Sequence, residues 1–151
     1  MIRFVAMMLL SAVFGTALAA TGSTDLYRDP NCGCCGAHAE YLRNHGFDVN
    51  VITSDNLAEV KAEHGVRDEL ASCHTAVIDG YVVEGHVPVD AIERMLEDQP
   101  EVTGIAVPGM PIGSPGMGME RGLSEPLQVW NIPEAEDESP SIHSTYHRIP
   151  R

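Results

Sequence analysis

The chain has 151 residues, with 9 basic side chains against 22 acidic ones and a formal net charge of −13. A surface so acidic, with no basic patch, would be repelled by a phosphate backbone, which excludes nucleic acid as a partner. The length allows one domain.

Residues 1–20 carry a short basic start (Arg3), an apolar stretch from Phe4 to about Phe14, and the small residues Ala17-Leu18-Ala19-Ala20. This is the pattern of a secretory signal peptide cut after Ala19 or Ala20. The apolar stretch is short for a membrane span of roughly 20 residues. The expectation is therefore a protein exported to the periplasm without a stable membrane anchor. Loss of Arg3 leaves 9 − 1 = 8 basic residues, so the mature charge is 8 − 22 = −14.

Residues 24–28 read as a strand that runs into the turn Asp29-Pro30-Asn31. A helix is expected from near Cys34 or Cys35, with Ala37, Tyr41 and Leu42 at helical spacing and Gly46 as its stop. Residues 47–53 alternate Phe47, Val49, Val51 with Asp48 and Asn50, which predicts a second strand. Ser54-Asp55 offers capping chemistry for a helix over 56–64, stopped by Gly65. Residues 75–78 and 81–84 are β-rich pieces joined by Asp79-Gly80, a hairpin signal. Val89, Ile92, Met95 and Leu96 then give one apolar helix face that ends before Pro100. The order β-α-β-α-β-β-α, with Cys32 and Cys35 as a Cys-x-x-Cys pair after the first strand, resembles the thioredoxin fold. Where that fold carries a cis-proline facing its dithiol, this chain has Cys73-His74-Thr75. Cys73 should therefore lie across from the Cys32–Cys35 loop. Residues 108–120 form a Pro/Gly-rich loop holding Met110, Met117 and Met119. The domain is assigned to 21–122, and the tail 123–151, acidic and then histidine-containing, is expected to be disordered.

Three of the four cysteines fall in Cys32-Gly33-Cys34-Cys35. An adjacent Cys34–Cys35 bridge would be strained, and any one bridge leaves a thiol over. The 3 + 1 spacing does not look like a disulfide framework even for an exported chain. It reads as a soft-metal site, a redox site, or both. Thiolate and thioether donors together select Cu(I), whereas zinc sites seldom use methionine. Cys32, Cys34, Cys35 and Cys73 with Met110 and Met117 are the candidate ligands. His38, His74, His86 and Met119 are candidates for weaker or supporting roles. A helix N-terminus should lower the thiol pKa values near it. Bridging thiolates would let four cysteines neutralise up to four Cu(I) ions; a single Cu(I) on three thiolates is the other arrangement. His45 and His64 suit helix-end capping. His143 and His147 have the i, i+4 spacing of a Cu(II) clasp but sit in the tail as solvated residues.

Cys32-Gly33-Cys34-Cys35-Gly36 with His38, Ser72-Cys73-His74-Thr75, Glu84-Gly85-His86-Val87-Pro88, and the run from Gly104 to Met117 resemble the CopG family, bacterial exported copper-resistance proteins. The likeness spans roughly residues 24–121. It implies a thioredoxin-like fold, a cysteine-bridged copper cluster, and a part in periplasmic copper handling with other copper-handling proteins, including copper redox conversion. Two alternatives stand beside it. One is a thiol–disulfide oxidoreductase with Cys32 as nucleophile and Cys35 as resolving thiol. The other is a structural zinc module.

Overall fold

A computed structural model of the chain describes residues 23–150, so the signal-peptide expectation lies outside the described residues. The elements are β1 (Thr24–Arg28), α1 (Gly33–Asn44), β2 (Val49–Thr53), α2 (Leu57–Glu63), β3 (His74–Ile78), β4 (Tyr81–Glu84), α3 (Val89–Asp98), β5 (Gly104–Ala106), β6 (Leu127–Ile132) and β7 (Ser141–Tyr146). The first seven reproduce the expected β-α-β-α-β-β-α order of a thioredoxin-like α/β fold. One seven-stranded sheet has the order β2-β1-β3-β4-β5-β6-β7. Strand β1 is parallel to β2 through the α1 crossover, while β3 is antiparallel to both β1 and β4. Asp79 and Gly80 both take positive φ, as the tight β3–β4 hairpin requires.

Alternation along the strands gives the sheet two faces. Leu26, Ala76, Ile78, Val83 and Ile105 join Ala39 and Leu42 of α1 and Val89, Ile92 and Met95 of α3 in the main core. Each of the Leu, Ile, Val and Met side chains among them contributes roughly 1.5–3 kcal/mol on full burial. Thr75 and Glu84 point to the other face, where Lys61 of α2 reaches them. Helices α1 and α3 thus cover one face, and α2 stands on the opposite one.

The expectation of a disordered tail over 123–151 is corrected by β6 and β7, which extend the sheet antiparallel beyond β5. Leu127 and Val129 enter the main core, and Ile132 is buried on the opposite face. Simple alternation along β6 accounts for both placements, and the pairing with β7 shifts register between Val129 and Trp130. His143 lies on the strand β7, so His143 and His147 are not a helical i, i+4 pair. No helix among the described residues is long and apolar enough to cross a membrane.

Candidate metal centre

The turn after β1 fixes where the sulfurs stand. Cys32 is the N-cap of α1. Its backbone N–H donates to Asp29 O at 3.1 Å, and its carbonyl accepts from Arg28 Nη1 at 2.6 Å. Cys34 and Cys35 then fall in the first helical turn, Cys35 fully buried and Cys34 partly exposed. The loop before β3 brings Cys73 against them. Cys34 Sγ is 3.5 Å from Cys32 Sγ, 3.9 Å from Cys73 Sγ and 4.0 Å from Met110 Sδ, so it stands at the middle of the group. The sulfurs of all four cysteines lie within 4.8 Å of one another.

A disulfide joins Cys32 to Cys35, leaving Cys34 and Cys73 as free thiols. This differs from the unstapled set read from the spacing. The Cys-x-x-Cys geometry at a helix start brings those two sulfurs together, and Cys34, between them in sequence, is directed instead at Cys73. In this oxidised form two of the four cysteine donors are spent on each other. Burial, with the neighbouring Cys34 thiol adding to it, pushes the Cys73 thiol up to about 12. Cys73 packs against the first turn of α1, and desolvation there outweighs any help from the helix N-terminus. A metal ion bound there must displace a proton.

Behind Cys73 lie three histidines, all fully buried. His86 Nδ1 donates to Pro115 O at 2.7 Å, and His38 Nε2 donates to Val87 O at 3.0 Å. A carbonyl only accepts, so each of those nitrogens carries the hydrogen. In a neutral His38 ring, Nδ1 is then bare and accepts from His74 Nε2 at 2.8 Å. Two bare nitrogens remain, and both face Cys73 Sγ: His74 Nδ1 at 3.3 Å and His86 Nε2 at 3.0 Å. Burial keeps the rings neutral. It lowers His38 to about 3, with His86 adding to the effect, and lowers His74 and His86 as well.

This burial carries a pH signature. The unfolded rings take protons near pH 6.5, while the folded His38 resists until about pH 3. Between those values the unfolded state binds more protons, so stability is fully present above 6.5 and falls as the pH falls. His38 costs about 1.4 kcal/mol per pH unit in that window, and the lowered His74 and His86 act in the same direction. Urea unfolding of the metal-free protein is expected to show the loss starting near pH 6, before carboxylates titrate. A flat midpoint from pH 7 to 5 would contradict it.

The methionine loop is tied to the same place. Ser72 Oγ donates to Gly109 O, Gly109 N donates to Ala71 O at 3.2 Å, and Met110 next to them is exposed. Met117 N donates to Ser114 O at 2.8 Å, and Met117 O accepts from Gly113 N at 2.9 Å, closing a compact turn. Gly116, at φ +80°, lies so close to α1 that a Cβ there would stand 2.7 Å from His38 N. Half-buried Met117 therefore follows a residue pressed on the first turns of α1. Met119 goes elsewhere: it packs on the main core and lines a cavity of about 1060 Å³ with Arg121, Leu123, Arg148 and Ile149. His45 caps α1, its Nδ1 2.7 Å from Tyr41 O, and His64 caps α2.

Sequence reasoning missed Glu84 and Lys61. Glu84 is fully buried; its Oε1 accepts from Ser72 N at 2.6 Å and from Lys61 Nζ at 2.5 Å, and its Oε2 accepts from Thr75 Oγ1 at 2.7 Å. The carboxylate so holds the backbone just before Cys73 and the Thr75 side chain just after it. Glu84 stands beside Gly85-His86 in the sequence, but its charge in a β-rich segment gave no sign of burial.

Fold and site together define a thioredoxin-like domain with a sulfur-rich centre of a kind suited to soft metal ions. A family model described as "Protein of unknown function, DUF411" matches residues 70–117. The solved structure of copper resistance protein CopG in its form 2 is 39% identical, with TM-score 0.74 over 82% of this chain and 97% of that one. Form 1 is 40% identical, with TM-score 0.73 over 82% and 96%. Among curated proteins no significant match was found. The chain belongs to the CopG family of copper resistance proteins.

Proposed function

We propose that this protein binds Cu(I) as its cargo in copper resistance, in the periplasm, where it exchanges copper with other copper-handling proteins. In the reduced protein Cys32, Cys34, Cys35 and Cys73 act as bridging thiolates of a multinuclear cluster, with Met110 and Met117 as outer donors. The observation that carries this reading is the meeting of four cysteine sulfurs within 4.8 Å, with Met110 Sδ 4.0 Å from Cys34 Sγ. Thiolate with thioether selects Cu(I) over harder ions. Bridging also limits buried charge, because four thiolates balance up to four Cu(I) ions and a smaller number leaves net negative charge in a partly desolvated site.

The Cys32–Cys35 pair gives this cargo a redox coupling. Two Cu(II) ions accept one electron each, the two thiols lose two protons, and one S–S bond forms, yielding two Cu(I). Regeneration of the two thiols is a separate exchange step, in which an external dithiol gives up two electrons and two protons and leaves as its own disulfide. The same disulfide favours a second reading, a thiol–disulfide oxidoreductase that works without metal. Metal content separates the readings. Protein isolated from copper-grown cells under reducing, anaerobic conditions is expected to carry several copper ions per chain and little zinc by elemental analysis. One zinc per chain would overturn the copper reading, and metal-free protein with fast dithiol exchange would favour the oxidoreductase.

A further inference from the structure

The disulfide removes two of the four cysteine donors but leaves another donor set whole. Cys73 Sγ, His74 Nδ1 and His86 Nε2 lie within 4.8 Å of one another, and neither nitrogen belongs to the four-sulfur group. Both nitrogens are aimed by fixed partners. Pro115 O holds the hydrogen on the far side of His86, and the His38–Val87 O chain holds the hydrogen on the far side of His74. Such outer hydrogen bonds fix tautomer and ring orientation at metal-binding histidines. A Cys73 S–H has one hydrogen for two bare buried nitrogens, so the metal-free arrangement leaves one of them without a donor from Cys73. A cation with metal–sulfur and metal–nitrogen distances near 2.3 and 2.05 Å would set S···N at about 3.6 Å in a tetrahedron. The 3.0 and 3.3 Å separations need only a small spreading.

We infer that Cys73, His74 and His86 form a distinct mononuclear site for a divalent ion of borderline softness, which stays competent when Cys32 and Cys35 are joined. Its one thiolate and two imidazoles suit Cu(II), Zn(II) or Co(II), whereas the four-sulfur group suits Cu(I). The two sites share Cys73 and therefore exclude full loading of both at once. Oxidation of Cys32 and Cys35 thus exchanges a soft multinuclear site for a harder single one.

Co(II) is the probe, because it is not reduced by the free Cys34. Protein with the Cys32–Cys35 disulfide intact and two titratable thiols is titrated anaerobically with Co(II). The expected result is one Co(II) per chain, with intense visible bands of four-coordinate geometry and a thiolate-to-cobalt band in the near ultraviolet. Cys34→Ser should keep that spectrum. Cys73→Ser, whose hydroxyl can still donate to either histidine, should abolish the thiolate band, and His86→Gln should weaken binding at least tenfold. Melting curves of each variant identify any that fail to fold, and Cys73→Ser alone suffices if His86→Gln does. Absence of tight Co(II) binding, weak six-coordinate bands, persistence of the near-ultraviolet band in Cys73→Ser, or its loss in Cys34→Ser would each overturn the assignment. Because the disulfide form and no copper are used, the result is independent of the Cu(I) reading.

Discussion

Cys34→Ser is expected to reduce Cu(I) binding by the fully reduced protein as severely as Cys32→Ser or Cys35→Ser. The reason is geometric: Cys34 Sγ alone lies within 4.0 Å of Cys32, Cys73 and Met110 sulfurs. A hydroxyl there neither bridges soft ions nor supplies a thiolate charge. Stoichiometry should fall from several Cu(I) per chain to one or fewer, and affinity by orders of magnitude in competition with a Cu(I) chelator. A plain dithiol enzyme predicts the reverse, a mild Cys34→Ser and a dead Cys32→Ser. A Cys34→Ser variant that matches the parent in copper number would move the assignment to the oxidoreductase.

Glu84→Ala should cause the largest loss of stability away from the sulfurs. The carboxylate is fully buried and Lys61, its partner, is mostly so. Removing one member of such a pair leaves an uncompensated charge and costs about 3–5 kcal/mol. Here it also strips the acceptor from Ser72 N and Thr75 Oγ1. For a domain of this size the melting temperature should drop by about 10 °C or more. Glu84→Gln, which keeps an acceptor oxygen, should lose less. Because Ser72 precedes Cys73, copper affinity should weaken together with stability. A Glu84→Ala protein that melts within about 2 °C of the parent would show that the pair is solvated, contrary to the geometry.

The central fold was legible because its signals are local. Alternation along 47–53, the Asp79-Gly80 hairpin and the Val89/Ile92/Met95 face each report their own element, and all three are present. The meeting of Cys73 with the first helical turn followed from topology alone, since β3 pairs with β1. The Cys32–Cys35 bond was not legible, because spacing permits both dithiol and disulfide. The tail misled in a different way. Leu127, Val129 and Ile132 carry a strand pattern, but the acidic residues after Pro133 dominated its composition. Strand β7, with Ser141, Ser144 and Thr145, has no apolar alternation; it owes its order to pairing with β6 and suits a polar edge. The histidine chain was hidden for a further reason. His38, His74 and His86 come from three separate segments, and the carbonyls of Val87 and Pro115 that fix their tautomers leave no mark in side-chain identity.

The coupling of the cysteine pair to cargo is the central claim of the proposed function. Its most direct measurement loads the fully reduced protein with Cu(I), removes excess, and then forms the Cys32–Cys35 disulfide with a mild oxidant under anaerobic conditions in the presence of a Cu(I) indicator. The expected result is several Cu(I) per chain before oxidation and release of most of them in step with the loss of two thiols. Retention of the whole copper load after the disulfide has formed, or a load of one or fewer before it, would contradict the account.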